Sequence, residues 1–293
     1  KAALCPERAE IVTRSYAQTR GEPMVLRRAK ALSAILSEMT LLVDEDSLIL
    51  GNQASRCFAA PVFPEYSFNW VIEELDDMPK RTGDAFAVSE ETKARLRRLQ
   101  PFWQGITHQD EVLKNLPEIN RRAEAQGVLH RGGISMSGDG HVIPNHEMLL
   151  REGYGGVRAR ARAKLAEAGL TEEQRAFYQA VEIAMDAALH YIKRLGALAA
   201  ETAARTEDAK RRAELKAIAR CYETLMEGGA RGFYEAVEAV YLTHLLMMIE
   251  SNGHSFSFGR FDQYIEPYYR SDREAGRISR EKALEVIAHF FLM

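Results

Sequence analysis

Apolar residues recur at helical spacing over most of this chain. Between residues 171 and 201 the positions Phe177, Val181, Met185, Leu189, Ile192 and Leu195 fall three or four apart, and Thr171 with Gln174 forms a capping box at their head. A long helix with one buried face is predicted there. A second helix is expected from Thr206, where Glu207 and Asp208 suit the positive end of a helix dipole. A third, over residues 232–250, carries Phe233, Val237, Val240, Leu245 and Met248, is almost wholly apolar, and stops at Asn252-Gly253. Near the start, Pro6 and Pro23 stand where first-turn prolines belong, with Gly21 as the stop between two amphipathic segments. Residues 279–293 read as a helix capped by Ser279, with Ala283, Leu284, Ile287, Phe290 and Phe291 on one face and no stop signal, so the chain is expected to be cut there.

Three stretches break the helical period. Residues 41–50 run Leu-Leu-Val, an acidic break, then Leu-Ile-Leu before Gly51, which predicts a short strand or a buried connector. Residues 51–70 hold Pro61 and Pro64 among aromatic residues and predict an irregular packed segment. Residues 127–156 are rich in glycine, contain Pro144, and gather His130, His141 and His146; they predict loop or short strand. With no repeat, linker or low-complexity tract, one compact unit is expected.

Composition removes several function classes. With 46% apolar and 28% charged residues, the chain can bury a core. A net charge of −3 from 39 basic and 42 acidic residues gives no basic footprint for nucleic acid. No run approaches the roughly 20 apolar residues of a membrane helix, and the charged start does not read as a secretory signal. Cys5, Cys57 and Cys221 are far apart and odd in number, which suggests reduced thiols; Cys57, among aromatics, and Cys221, on a helical stretch, read as structural.

Two polar constellations stand out. The first begins at Glu250 and runs Glu-Ser-Asn-Gly-His-Ser, so Asn252, His254 and Ser255 are delivered at the end of a buried rod. Buried polar groups need partners, which a polar substrate or an ordinary helix cap could supply. The second is Ser137-Gly-Asp-Gly-His141-Val-Ile-Pro-Asn-His146-Glu147, where small glycines let backbone approach a ligand beside a titratable imidazole. A metal site on His141, His146 and Glu147 is an alternative, but the spacing matches no standard zinc pattern. Nucleophile elbow, P-loop and dinucleotide motifs are absent.

The stretch from Glu250 to Ser255, together with Gly259-Arg-Phe-Asp-Gln-Tyr and Pro267-Tyr-Tyr, resembles the glycyl radical enzymes of the formate acetyltransferase-like superfamily, in their dehydratase and lyase branch. Glu7-Arg8-Ala9, Arg27-Arg28-Ala29, Val62-Phe-Pro-Glu65 with Trp70, Lys80-Arg-Thr-Gly-Asp-Ala-Phe and Gly140-His141-Val142 agree in the same order, so the likeness spans nearly the whole chain. The implied fold class is α/β: a ten-stranded α/β barrel of two half-barrels inside a helical shell. Residues 1–293 would form the N-terminal part of a single such domain, mainly helical shell plus the first barrel strands.

The family's thiyl cysteine with its glutamate base and its radical glycine have no counterpart here, so no catalytic residue is expected within these residues and none of the three cysteines is assigned one. What the resemblance does transfer is substrate binding, on His141, His254 and Ser255. Phe258 departs from the family pattern, in which proline is frequent, and Arg131 beside His130 would face an anionic substrate. The implied activity is a radical eliminating lyase of anaerobic metabolism, first a glycerol or propanediol dehydratase. The alternatives are carbon–sulfur or carbon–nitrogen cleavage of isethionate, dihydroxypropanesulfonate or choline, hydroxyproline dehydration, and a non-catalytic helical binding protein. The resemblance further implies no tightly bound cofactor, a glycyl radical installed on absent chain by an iron–sulfur S-adenosylmethionine activating enzyme, a homodimer, and a cytoplasmic location, a bacterial microcompartment included.

Overall fold

The computed structural model describes residues 1–130, 136–138, 140–253 and 255–292. The chain opens with strand β1 (Ala2–Cys5), then helices α1 (Glu7–Gln18) and α2 (Met24–Glu38), strand β2 (Ala59–Pro61), helix α3 (Asn69–Glu74), a single 3-10 turn at Met78–Lys80 and strand β3 (Phe86–Ala87). Helices α4 (Glu90–Trp103), α5 (His108–Asn115), α6 (Glu118–Ala125), α7 (His146–Leu165), α8 (Glu172–Arg205), α9 (Ala209–Glu227), α10 (Phe233–Ser251), α11 (Phe261–Glu274) and α12 (Arg280–Leu292) follow.

The three strands form one parallel sheet in the order β2-β1-β3, with Ala3 opposite Ala59 and Ala2 opposite Phe86. Sequence periodicity did not reveal them, because strands of two to four residues are too short to show an alternation.

Helix α8 is the spine, packed against α2, α7 and α9. The Thr171 side chain accepts from the Gln174 amide and the Gln174 side chain answers on the Thr171 amide, which is the expected capping box. Leu189, Ile192 and Leu195 are buried, whereas Phe177 is 53% exposed, since the buried positions of the first turns are Ala176 and Ala180 instead. Helix α9 starts three residues later than expected, where Asp208 caps it by accepting from the Arg211 amide. Pro6 and Pro23 sit at the cap positions of α1 and α2, one residue before the first turn. In α12, Ser279 does cap, with its hydroxyl accepting from the Lys282 amide at 3.1 Å, and Ala283, Val286 and Phe290 are buried while Leu284 and Phe291 are exposed. Among the described residues no helix is long and apolar enough to cross a membrane.

Residues 41–50 form a connector rather than a strand. Leu48, Ile49 and Leu50 are buried outside any helix or strand, where no ladder satisfies their carbonyls. Tyrosines from three helices do so instead. Tyr234 donates to Leu48 O, Tyr222 to Leu50 O at 3.1 Å, Tyr241 to Gly51 O at 3.3 Å and Tyr191 to Asn52 O at 3.4 Å. Tyr222 Oη also lies 3.3 Å from Glu238 Oε2, and burial pushes the pKa of the Glu238 carboxyl well above the usual carboxylate range.

The segment 127–156 departs from expectation at its end, because α7 begins at His146. The Asn145 side chain accepts from the Met148 amide at 3.0 Å and buries Leu149, Leu150 and Tyr154 behind it, so the glycines downstream do not prevent a helix. At Gly153 the helix kinks, with φ 67°, and a Cβ would stand 2.4 Å from Gly228 O, so only glycine lets α7 touch the end of α9. Cys5 and Cys221 are buried, but Cys57 is exposed and donates to Asp44 Oδ1 at 2.7 Å, not packed among aromatics as its neighbours suggested.

Candidate functional site

Helix α10 is apolar nearly all round and ends where Asn252 turns left-handed, at φ 47°. Ser251 Oγ accepts from the Gly253 amide at 3.2 Å, which closes the turn. Past that turn the chain runs back beside the glycine-rich loop, and the Ser257 amide donates to Val142 O at 3.0 Å. Ile143 then lies against Gly259, where a Cβ would stand 2.9 Å from Ile143 Cγ2.

The other end of the loop is held equally closely. A Cβ on Gly138 would lie 1.7 Å from Ser251 O and 2.9 Å from the Tyr66 ring, so no side chain fits there. Ser67 Oγ donates to Met136 O at 2.9 Å. The two constellations, more than a hundred residues apart in sequence, are thus one structural unit at the C-terminal end of α10.

Backbone strain gathers at the same place. Four described residues other than glycine adopt positive φ: Asp84, His141 at 55°, Asn252 at 47° and Ser255 at 59°. Three of the four lie in the paired segments. A left-handed conformation costs about 1–3 kcal/mol for such a residue and persists where the surroundings over-determine it, which is typical of ligand sites.

Of the expected substrate-binding residues, His141 and Ser255 are brought into these adjoining segments, and both are exposed. Arg131 and His254 lie outside the described residues. His146 is drawn elsewhere. Its ring is buried, stacked on Tyr264 at 5.4 Å between centroids with Phe258 at 6.2 Å, and Phe258 in turn lies 4.5 Å from His244. Neither ring nitrogen of His146 has a hydrogen-bond partner among the described residues. Burial, with His244 nearby, lowers its pKa to about 4 and keeps it neutral. Glu147 is exposed, and no group of three metal-ligating side chains occurs among the described residues, so the alternative metal centre finds no cluster.

Sequence reasoning missed the charged network behind the loops. Arg8, only 4% exposed, donates through Nε to Ile249 O at 2.8 Å and through Nη2 to Glu250 O at 3.0 Å, and its fork grips Glu65 at 2.5 and 3.0 Å. Its guanidinium lies 3.7 Å from the Phe63 ring centroid. Arg28 donates through Nε to Glu250 Oε1 at 2.8 Å and through Nη2 to Tyr66 Oη at 3.0 Å. Burial works against the Arg28 charge, yet the Glu250 carboxylate beside it more than offsets this and raises its pKa. A signal was present: Arg8 shares a helix face with Ile11, Val12 and Ser15, and a charge on an otherwise buried face calls for a partner. Glu250 stands between two cavities. One, of about 550 Å³, is lined by Arg8, Arg27, Arg28, Glu65 and Tyr66; the other, of about 380 Å³, is mostly apolar and lined by Val142, Tyr154, Ser251 and Phe256.

With this geometry in hand, likeness to known proteins is informative. The family model described as pyruvate formate lyase-like matches residues 1–293. The chain is 38% identical over 292 residues to a probable dehydratase, YbiW, of Escherichia coli strain K12, covering 98% of this chain and 36% of that protein. It is 31% identical over 290 residues to the (2S)-3-sulfopropanediol dehydratase of Klebsiella oxytoca, covering 96% of this chain and 35% of that protein. Its structure superimposes on the glycerol-bound B12-independent glycerol dehydratase from Clostridium butyricum with a TM-score of 0.95 at 37% identity, covering 99% of this chain and 37% of that one. The chain therefore spans little more than a third of the length of these relatives. The mostly helical architecture with a small parallel sheet is the one these barrel-type enzymes share over the matched part. This chain belongs to the pyruvate formate lyase-like family, that of the glycyl radical enzymes.

Proposed function

We propose that residues 1–293 are the first part of a glycyl radical lyase that eliminates water from a small vicinal diol, glycerol or propanediol in type. In this reading they form one part of a single domain built around a ten-stranded α/β barrel. The observation that carries it is the joining of the 138–143 and 251–259 segments by the Ser257–Val142 hydrogen bond, with left-handed backbone at His141, Asn252 and Ser255. Strained polar segments held side by side form a wall suited to grip two hydroxyl groups.

The site fits a centre completed by further chain, because Val142 and Ile143 stand exposed beside His141 and Ser255. A glycyl radical on that chain, installed by an iron–sulfur S-adenosylmethionine activating enzyme, would generate the thiyl radical on the family's cysteine, and that thiyl would take a hydrogen atom from the substrate. The residues here do the polar work. An imidazole at 141 or 254 donates a proton to the leaving hydroxyl, which departs as water, while the other imidazole and the Ser255 hydroxyl hold the retained oxygen, whose own proton passes to the family's glutamate base on the further chain so that the product radical is neutral. Pocket polarity then selects the leaving group. Arg131 is the cation positioned in sequence to receive an anionic substituent, and the likeness to a sulfopropanediol dehydratase favours such a substrate as the second reading. In this reading the whole enzyme is a homodimer of the cytoplasm, a bacterial microcompartment included.

Anaerobic assay of the activated full-length protein against glycerol, propane-1,2-diol, (2S)-3-sulfopropanediol, isethionate, choline and trans-4-hydroxyproline tests this. Aldehyde formation from a diol is expected, and activity on choline alone would contradict it. In the same protein His141→Ala and His254→Ala are each expected to lower kcat/KM by about 100-fold or more, the size of a general acid–base contribution, with unfolding unchanged. Full activity in both variants would remove the assignment.

A further inference from the structure

Four of the sequence stretches singled out above meet at one point, although nothing in the proposed chemistry uses three of them. Glu7-Arg8-Ala9 on α1, Arg27-Arg28-Ala29 on α2 and the Val62–Glu65 stretch converge on Glu250, the last residue but one of α10. The reason is the unsatisfied end of a helix. The last carbonyls of α10 have no intrahelical donor, and Ile249 and Glu250 are taken by one buried guanidinium. Arg8 can do this only because Glu65 neutralises it and the Phe63 ring covers its face. From the other side Arg28 fixes the Glu250 side chain, and Tyr66, its second partner, also lies against Gly138 of the glycine-rich loop.

The same few ångströms therefore set both walls of the candidate site. Two residues past Glu250 the backbone turns left-handed into Asn252, and five past that Ser257 pairs with Val142. We propose that Arg8 and Arg28 are positioning residues, which through Ile249, Glu250 and Tyr66 hold residues 252–253 and 255–257 and the loop residues 138 and 140–142 at the separation the substrate requires. This rests on the reading of those segments as the substrate wall. A guanidinium fork reaches two carbonyls and a carboxylate at once, which a lysine ammonium on its flexible stem cannot reproduce, so the proposal distinguishes Arg8 from any cation at that place.

Two measurements on the full-length protein test it, and the first needs no substrate. Amide hydrogen exchange of the peptide covering 250–258 is expected to quicken about tenfold in Arg8→Lys and in Arg28→Gln, with residues 190–200 of α8 unchanged. Exchange unchanged at 250–258, or quickened equally in α8, overturns the proposal; if Arg8→Lys does not accumulate folded, Arg28→Gln decides alone. The second is kinetic. On whichever of glycerol, propane-1,2-diol and isethionate the wild type turns over, Arg28→Gln is expected to lower kcat/KM about tenfold at equal glycyl radical content by electron paramagnetic resonance, and less than about twofold when Ser255 is already alanine. Equal losses in the two backgrounds would show that Arg28 acts independently of that segment and would overturn the proposal. A wild type inactive on every probe, with exchange quickened as expected, would instead count against the diol reading and leave the positioning role standing.

Discussion

His146 shows how much one buried polar side chain can reveal. Its ring carries two nitrogens without partners among the described residues, inside a box of Tyr264, Phe258 and, beyond Phe258, His244. A histidine whose folded pKa is depressed contributes stability that is complete above its unfolded value of 6.5 and is lost as pH falls toward about 4. His244, also lowered by burial, acts in the same direction. Replacing a buried unsatisfied group by an apolar ring of similar shape is close to neutral or stabilising. His146→Phe is accordingly expected to leave unfolding at pH 8 nearly unchanged and to reduce the loss of stability between pH 6.5 and 4.5, as followed by denaturant titration at each pH. A steeper acid loss in the variant would mean that the imidazole is satisfied by a group that matters for folding. The sequence marked His146 as part of a polar cluster, yet the spacing from His141 could not show that one ring faces out and the other packs on α11.

At the scale of elements, local signals were legible and long-range ones were not. The capping box of α8 and the stop of α10 at Asn252 are each written in a few adjacent residues, so periodicity and cap chemistry located them, whereas α9 was expected from Thr206 and its cap is Asp208. The start of α7 was missed because glycines near it outweighed the Asn145 cap and the Leu149-Leu150 pair. The parallel sheet was missed because its strands are short and their partners lie some 50 to 85 residues away. The pairing of Val142 with Ser257 is of the same kind, since nothing near either residue names the other. Gly138 offers a test of that pairing. Gly138→Ala forces the loop off Ser251 O and is expected to lower kcat/KM of the full-length enzyme at least about tenfold, the consequence of moving a positioned group by an ångström or so. Gly155→Ala, where a methyl group meets open space, serves as the control and is expected to keep normal activity.

Over the whole molecule, a buried helix with little polarity along its sides ends in a cluster of polar residues, and the surrounding elements are arranged to hold that end still. Tyrosines from α8, α9 and α10 tie down the 48–52 connector, α1 and α2 send arginines to the carboxyl end of α10, and the glycine-rich loop leans on the same end through Gly138. The family likeness was legible in the sequence as an ordered set of short motifs, but the reason that Arg8, Arg28 and Glu65 belong to it appeared only when the chain brought them to Glu250. Substrate choice is not written at this scale, because in the proposed reading it depends on a few side chains of the site and on chain that lies beyond these residues in the longer relatives.

The most direct test is a crystal structure of the full-length protein with the compound that the anaerobic assay selects. The account predicts the two hydroxyl oxygens within about 3.2 Å of side chains from both segments, the imidazole at 141 on one side and the residues at 254 and 255 on the other. A substrate seated in the arginine-lined cavity beside Glu250, or touching neither segment, would contradict it.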